Sequence, residues 1–324
     1  MTPRVAIALG DPAGIGPELA LKAAADPRVL ALCTPVLFGP AAAVAAHRAA
    51  AGLAVEVAVV AGPEHPAPPG RVALVDTGPA DPPRLGVIAA EHGRAALAAA
   101  GAAIDAARAG HVVAVVACPQ TEAAIHQAGI AFDGYPSFVA RRTGIAAEDA
   151  FLMLCFDTTR IVHATLHVSL ARAIALITQE RLARVLAATD AALRRQGIAA
   201  PRIAVAGLNP HAGEAGAFGR EEIETIAPAI VEAARAGIEA EGPFGADTMF
   251  HRPGYDAFVV MYHDQGHLAA KLMARNRTAG VTIGTPVVFS SVAHGSALDI
   301  AGRGEASAEA VVEAIRRVIG AGPC

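Results

Sequence analysis

Short, unbroken apolar runs alternate with alanine-rich stretches along this chain, and that alternation constrains its fold more than any other feature. VAIALG (5–10) leads into PELALKAAA (17–25), PVLFG (35–39) into AAAVAAHRAAAG (41–52), and VVAVVACP (112–119) into TEAAIHQAG (121–129). RIAVAGLNP (202–210) and AFVVMYHDQG (257–266) repeat the pattern, while VEVAVVAG and RVALVDTG add two further runs. Successive side chains of a strand point to opposite faces, so a run that is apolar at every position is buried on both. Strands of this kind, each followed by a helix, predict a parallel sheet with helices on either side. The longer helices are expected over 86–110, 221–236 and 267–274, and over the closing SAEAVVEAIRRVIG.

A length of 324 residues implies two domains or one large α/β unit. No internal repeat or long linker is visible, so a division into domains would come from the chain crossing between two sheets. With 54% hydrophobic residues, 4% aromatic and no Trp, the core must be built from Ala, Val, Leu and Ile. A net charge of -4 without a Lys/Arg block argues against a nucleic-acid or anionic-membrane surface. The four cysteines are scattered without a C-x-x-C pair, which speaks against a disulfide framework or a cysteine zinc site. Asp11 and Pro12 arrive before a signal-peptide core could form, and no apolar segment reaches the roughly 18 residues of a membrane span. A soluble, cytoplasmic protein is expected.

Several polar residues follow directly on predicted strands, the edge at which open α/β sheets bind ligands. The opening turn LGDPAGIGPE has glycines at 10, 14 and 16, but no Lys-Ser/Thr and no G-x-G-x-x-G spacing, so neither nucleotide motif applies. Among twelve histidines, His211 in GLNPHAGE and His263 in MYHDQG follow apolar strands, and His167 lies in HATLHVSL. Three imidazoles with open coordination positions would make a Lewis-acid site for a divalent cation, Zn²⁺ by default. On spacing alone, ordinary loop histidines remain the stronger reading. His163 and His167 form an H-x-x-x-H pair, but in a strand-like run. Asp247 in GPFGADTMF is placed between catalysis and capping, and Asp264 is placed as an orienter of His263.

The segment HGSALDIAGRG (294–304) resembles the adenosine-binding loop of isocitrate and isopropylmalate dehydrogenases, which also carry a turn similar to GDPAGIGPE. GDPAGIGPE, GLNPHAGE, GPFGADT, MYHDQG and this loop, in that order, more closely resemble the 4-hydroxythreonine-4-phosphate dehydrogenase family over essentially the whole chain. The resemblance implies an isocitrate-dehydrogenase-like fold of two α/β/α domains with a cleft between them. Residues 1–130 plus 280–324 would carry the cofactor loop, and 131–279 the metal ligands and dimer contacts. It implies NAD or NADP held by Gly14, Gly16, His294, Gly295, Ser296 and Asp299. It further implies a divalent metal on His167, His211 and His263, and a homodimer with the site shared between subunits.

The substrate positions depart from the family's pattern. Gly134-Tyr135-Pro136-Ser137 stands where phosphate-binding members read Gly-His-Thr-Glu, Glu122 replaces a Lys, and Gly280 and Phe289 replace an Asn and an Arg. Lys271 alone is kept. A phosphate dianion would lose its donors and face Glu122, at a cost of several kcal/mol. Tyr135, Ser137, Glu122 and Phe289 are therefore expected to line a pocket for a planar carbocycle. AGIAFDGYPS, FLMLCFDTTRIVHATLH and SSVAHGSALDIAGRG are most similar to the terephthalate cis-dihydrodiol dehydrogenase branch. The resemblance implies oxidation and decarboxylation of 1,2-dihydroxy-3,5-cyclohexadiene-1,4-dicarboxylate to protocatechuate. Asp247 or Lys271 would move protons, with Lys271 also contacting a substrate carboxylate. A phosphorylated hydroxy acid dehydrogenase and an inactive metal- or nucleotide-binding homologue are the alternatives.

Overall fold

The computed structural model describes residues 2–78, 81–274, 278–292 and 294–320. In chain order the strands are β1 (Arg4–Ala8), β2 (Thr34–Gly39), β3 (Val57–Val60), β4 (Val72–Asp76), β5 (Ala114–Ala117) and β6 (Phe151–Phe156). They continue with β7 (Thr159–His163), β8 (Arg202–Ala206), β9 (Glu239–Phe244), β10 (Ala257–Val260), β11 (Ala279–Ile283) and β12 (Phe289–Val292). The chain divides into a terminal unit, made of residues up to Thr143 together with those from Pro286, and a central unit, Gly144–Thr285. These divisions differ from the 130 and 280 expected, for two local reasons. The helix Tyr135–Thr143 is tied to the helix Ala90–Arg108 by the Arg142–Asp105 ion pair and by Arg108 donating to Arg142 O at 3.0 Å. On the other side, β11 pairs along its whole length with β6 of the central unit.

The terminal unit orders its strands β3-β4-β2-β1-β5-β12, all parallel. The α/β class read from the apolar runs holds here: Val5, Ala6, Ile7 and Ala8 are all fully buried, as are Val115 and Val116 opposite them. Alanines at 6, 8, 99, 100, 103 and 117 form much of this core. Their small side chains allow helix and sheet to approach closely, so few aromatic residues are needed to fill the space.

The central unit orders its strands β11-β6-β7-β10-β8-β9. Here the expected all-parallel arrangement is corrected, because β6 runs antiparallel to both β7 and β11. A two-residue link, with Asp157 at φ 43°, turns β6 directly back into β7. Asp tolerates the left-handed region better than most residues, which is the chemistry of a tight hairpin. Strands β7, β10 and β8 are neighbours and parallel. The segments that follow them, containing His167, His263 and His211, therefore leave the sheet at the same edge. Among the described residues no helix is long and apolar enough to cross a membrane.

Candidate functional site

In the terminal unit, the opening turn and the 294–306 segment are built around each other. Ile15 N donates to Ser296 O at 2.9 Å, and the hydroxyls of Ser296 and Thr121 meet at 2.6 Å. A Cβ on Gly14 would stand 2.7 Å from Ser296 Cβ and O, and one on Gly16 would stand 2.1 Å from Leu9 O. These glycines are therefore demanded by backbone packing. Glu18, wholly buried on the helix Gly16–Ala24, accepts from Gly304 N at 3.2 Å, Ala306 N at 3.0 Å and Lys22 Nζ at 2.7 Å. Lys22 also donates to the carbonyls of Gly304 and Ala306 at 2.8 and 2.7 Å. Glu18 and Lys22 clamp the end of the loop, a role that their motif alone does not disclose. Within the loop Gly295 and Asp299 are exposed, Ser296 is buried, and His294 Nδ1 lies 3.1 Å from Gly295 O.

In the central unit, four imidazoles gather at the edge formed by β7 and β10. His263 opens the helix His263–Ala274, and its Nδ1 lies 2.6 Å from Asp264 Oδ1. An ionised carboxylate only accepts, so the ring proton sits on Nδ1 and the lone pair is left on Nε2. The His167 ring centroid is 5.6 Å from that of His263. His267 stacks on His263 at 3.7 Å and 8°, and its Nδ1 is 3.0 Å from His163 Nε2. Burial, reinforced by the neighbouring imidazoles, pushes His163 down to about 3 and His267 down to about 4. His267 carries no motif of its own. His163 was visible only as a doubtful pairing with His167, and the fold joins it to His267 instead.

A cavity of about 410 Å³ opens beside His167, Leu170, Tyr262, His263 and Asp264. Lys271 is exposed on the same helix, two turns beyond His263. His211 begins five successive residues in the left-handed region, from φ 53° at His211 to φ 53° at Ala215. Buried Glu222 secures this turn by accepting from Leu208 N and Asn209 N, each at 2.7 Å, and from Asn209 Nδ2 at 3.0 Å. Burial raises the Glu222 carboxyl, but these hydrogen bonds outweigh it and hold the group below its ordinary value. Exposed Asp247 lies nearby, since a Cβ on Gly245 would be 2.8 Å from Asp247 Oδ1 and 3.9 Å from His211 Cα.

The donor chemistry fits a divalent cation at His263, whose Nε2 lone pair is set by Asp264, with His167 beside it. Among the described residues no group of three or more His, Cys, Asp or Glu is close enough to hold a metal ion.

The expected substrate-facing positions fall differently. Phe289 is fully buried in β12, 4.8 Å from the buried Tyr135 ring, and Tyr135 also meets Phe132 edge-on at 5.8 Å. Within the terminal unit both are core side chains, which corrects the expectation of an aromatic wall facing a ligand. Burial pushes the Tyr135 phenol well above its usual range. Ser137 is buried against the Asp133 carboxylate and Gly134 O, while Glu122 stays exposed at the start of the helix Glu122–Gln127.

Residues 31–318 match the family model described as pyridoxal phosphate biosynthetic protein PdxA. The chain is 41% identical to a putative D-threonate 4-phosphate dehydrogenase of Symbiobacterium thermophilum, over 97% of this chain and 95% of the relative. It is 39% identical to a 1,2-dihydroxy-3,5-cyclohexadiene-1,4-dicarboxylate dehydrogenase of Comamonas sp, over 99% and 98%. The crystal structure of a terephthalate 1,2-cis-dihydrodiol dehydrogenase from Burkholderia xenovorans LB400 matches with a TM-score of 0.72 and 42% identity, covering 99% of each chain.

Proposed function

The chain belongs to the PdxA family and is a dehydrogenase acting on a hydroxyl group; on that premise we propose that it oxidises and decarboxylates a β-hydroxy acid with NAD⁺ or NADP⁺. The proposed substrate is the terephthalate cis-dihydrodiol, 1,2-dihydroxy-3,5-cyclohexadiene-1,4-dicarboxylate, and the products are protocatechuate and CO₂. One observation carries this choice: the positions where phosphate-binding members place polar or cationic groups hold the packed rings of Tyr135 and Phe289 and the exposed acid Glu122. Lys271 is the one cation of that set, sufficient for a carboxylate but too little for a desolvated phosphate dianion.

In this reading His167, His211 and His263 are the residues that would hold a divalent cation, zinc by its affinity for imidazole. When bound, the cation would supply the Lewis acidity that acidifies the substrate alcohol and offsets the charge released on decarboxylation, and the dinucleotide would supply the hydride acceptor. Asp264 keeps the proton of His263 on Nδ1 so that Nε2 faces outward. Lys271 binds a ring carboxylate, and Asp247 takes the alcohol proton. Gly14 and Gly16 seat the turn under Ser296, and His294, Gly295, Ser296 and Asp299 meet the dinucleotide. Hydride loss turns the alcohol carbon into a carbonyl; the bond to the neighbouring carboxylate then breaks with release of CO₂, and its electron pair completes the aromatic ring as a phenolate that takes up a proton. A homodimer through the central unit is supported by exposed Leu268, Leu272 and Met273 on one helix, and Leu170 and Ile174 on another.

The similarity to the D-threonate 4-phosphate relative favours a second reading, oxidation of a phosphorylated hydroxy acid. Purified protein with NAD⁺ and Zn²⁺ is to be offered the dihydrodiol, D-threonate 4-phosphate and 4-phosphohydroxythreonine, with NADH and CO₂ followed. Turnover of the dihydrodiol is expected. Turnover of a phosphate ester alone would overturn the assignment, and metal binding with no turnover would make the chain an idle homologue. His211→Ala should lose both the cation and activity; full activity in that variant would remove His211 from the ligand set.

A further inference from the structure

We infer that His163 and His267 are positioning residues, a two-imidazole brace that fixes the ring of His263. This rests on the reading of His263 as a cation ligand. The brace starts at the sheet, where His163, buried at the end of β7, has Nδ1 3.4 Å from Leu152 O of β6. A carbonyl only accepts, so the His163 proton sits on Nδ1 and its Nε2 carries a lone pair. That lone pair meets His267 Nδ1 at 3.0 Å, and the same Nδ1 lies 3.2 Å from His263 O. Both neighbours are acceptors, so the His267 proton also sits on Nδ1, shared between them, and the ring has one orientation.

The fixed His267 ring lies flat on His263, at 3.7 Å between centroids and 8° between planes. His263 is thus held on one face by His267 and at Nδ1 by Asp264. Only Nε2 is left to face a ligand, because a half-turn of the ring would break the hydrogen bond to Asp264 and any smaller turn would break the stack as well. The helix accommodates this arrangement at Gly266, where a Cβ would stand 2.4 Å from His163 Nε2. His267 does not itself share the cation of His263. An imidazole donates its lone pair in the ring plane, and two nearly parallel planes 3.7 Å apart have no common in-plane position.

The test uses the full chain stripped of metal and titrated with Co²⁺ against a competing chelator, with the visible Co²⁺ absorption recorded. Partners that orient a ligand are typically worth about 10- to 100-fold in metal affinity, and His267→Ala should weaken Co²⁺ binding by about that range and alter the absorption. His267→Phe keeps a flat ring on His263 and should recover most of the loss. Unchanged far-UV circular dichroism identifies the variants that fold. If His267→Ala binds with wild-type affinity and spectrum while His263→Ala does not, the brace is wrong and the ligand reading stands. If His267→Phe fails as fully as His267→Ala, His267 is a direct ligand and the brace is overturned. If His263→Ala binds as tightly as wild type, the ligand reading falls, and the brace falls with it.

Discussion

Replacing Glu18 by alanine removes a buried carboxylate that joins the first helix to a loop almost three hundred residues later. Glu18 is inaccessible to solvent and accepts from Gly304 N, Ala306 N and Lys22 Nζ. The alanine variant strands two backbone N–H groups and leaves an ammonium beside carbonyls alone. Breaking a buried pair by removing one partner costs about 3–5 kcal/mol. Lys22 keeps some access to water and retains the carbonyls of Gly304 and Ala306, which places the expected loss toward the lower end. At about 2–4 °C per kcal/mol for a unit of this size, the melting temperature should fall by roughly 6–12 °C. Glu18→Gln retains an acceptor and should lose about 1–2 kcal/mol. Both variants should raise KM for NAD⁺ more than they lower kcat, because the clamp holds the loop proposed to meet the dinucleotide and touches none of the residues proposed to act on the substrate. Scanning calorimetry and initial-rate kinetics measure the two effects. A Glu18→Ala protein melting within about 2 °C of wild type with an unchanged KM would refute the reasoning.

Gly14→Ala places a methyl 2.7 Å from Ser296; at about 1–3 kcal/mol of overpacking it should raise KM for NAD⁺ by about tenfold, read from initial rates. His47 is buried with Nε2 donating to Pro12 O at 3.0 Å, and burial lowers its pKa. Its contribution to stability is present above the ordinary imidazole value of about 6.5 and is lost as pH falls below that, since the unfolded chain binds the proton more readily. His47→Gln should therefore show a shallower loss of stability than wild type between neutral and acid pH in urea titrations. Leu272, 82% exposed, is expected to pack against a second copy. Leu272→Asp should shift the proposed dimer toward monomer in sedimentation, and no shift would remove Leu272 from the proposed interface.

The terminal sheet was legible because its strands are apolar at every position, and a two-faced buried strand leaves no other pattern. The antiparallel β6–β7 hairpin was missed because both of its strands are apolar runs too, and only Asp157 marks the reversal. The helix 221–236 was expected as one element, whereas residues Glu222–Ile226 form a wider turn and the α-helix proper is Ala227–Arg235. The helix 267–274 in fact starts at His263, which puts His267 one turn above it. Spacing along the chain could not link His267 to His163, because their contact depends on β7 and β10 lying side by side with Val260 opposite His163. Tyr135 and Phe289 misled for the converse reason. Each ring could face a ligand or fill the core, and a residue name alone does not say which way the ring turns.

The terminal unit is assembled from both ends of the chain, and this sets an order of events during synthesis. Everything from β1 to β5 leaves the ribosome while β12, the parallel neighbour of β5, is still untranslated. Until it arrives, β5 presents an unpaired edge of apolar residues, the kind of surface that invites mispairing between nascent chains. The central unit is contiguous and can complete its sheet first. The segment from Pro286 onward therefore closes the nascent edge and delivers the His294 loop in one event, so a chain released before it would lack both a finished sheet and the loop proposed to seat the dinucleotide.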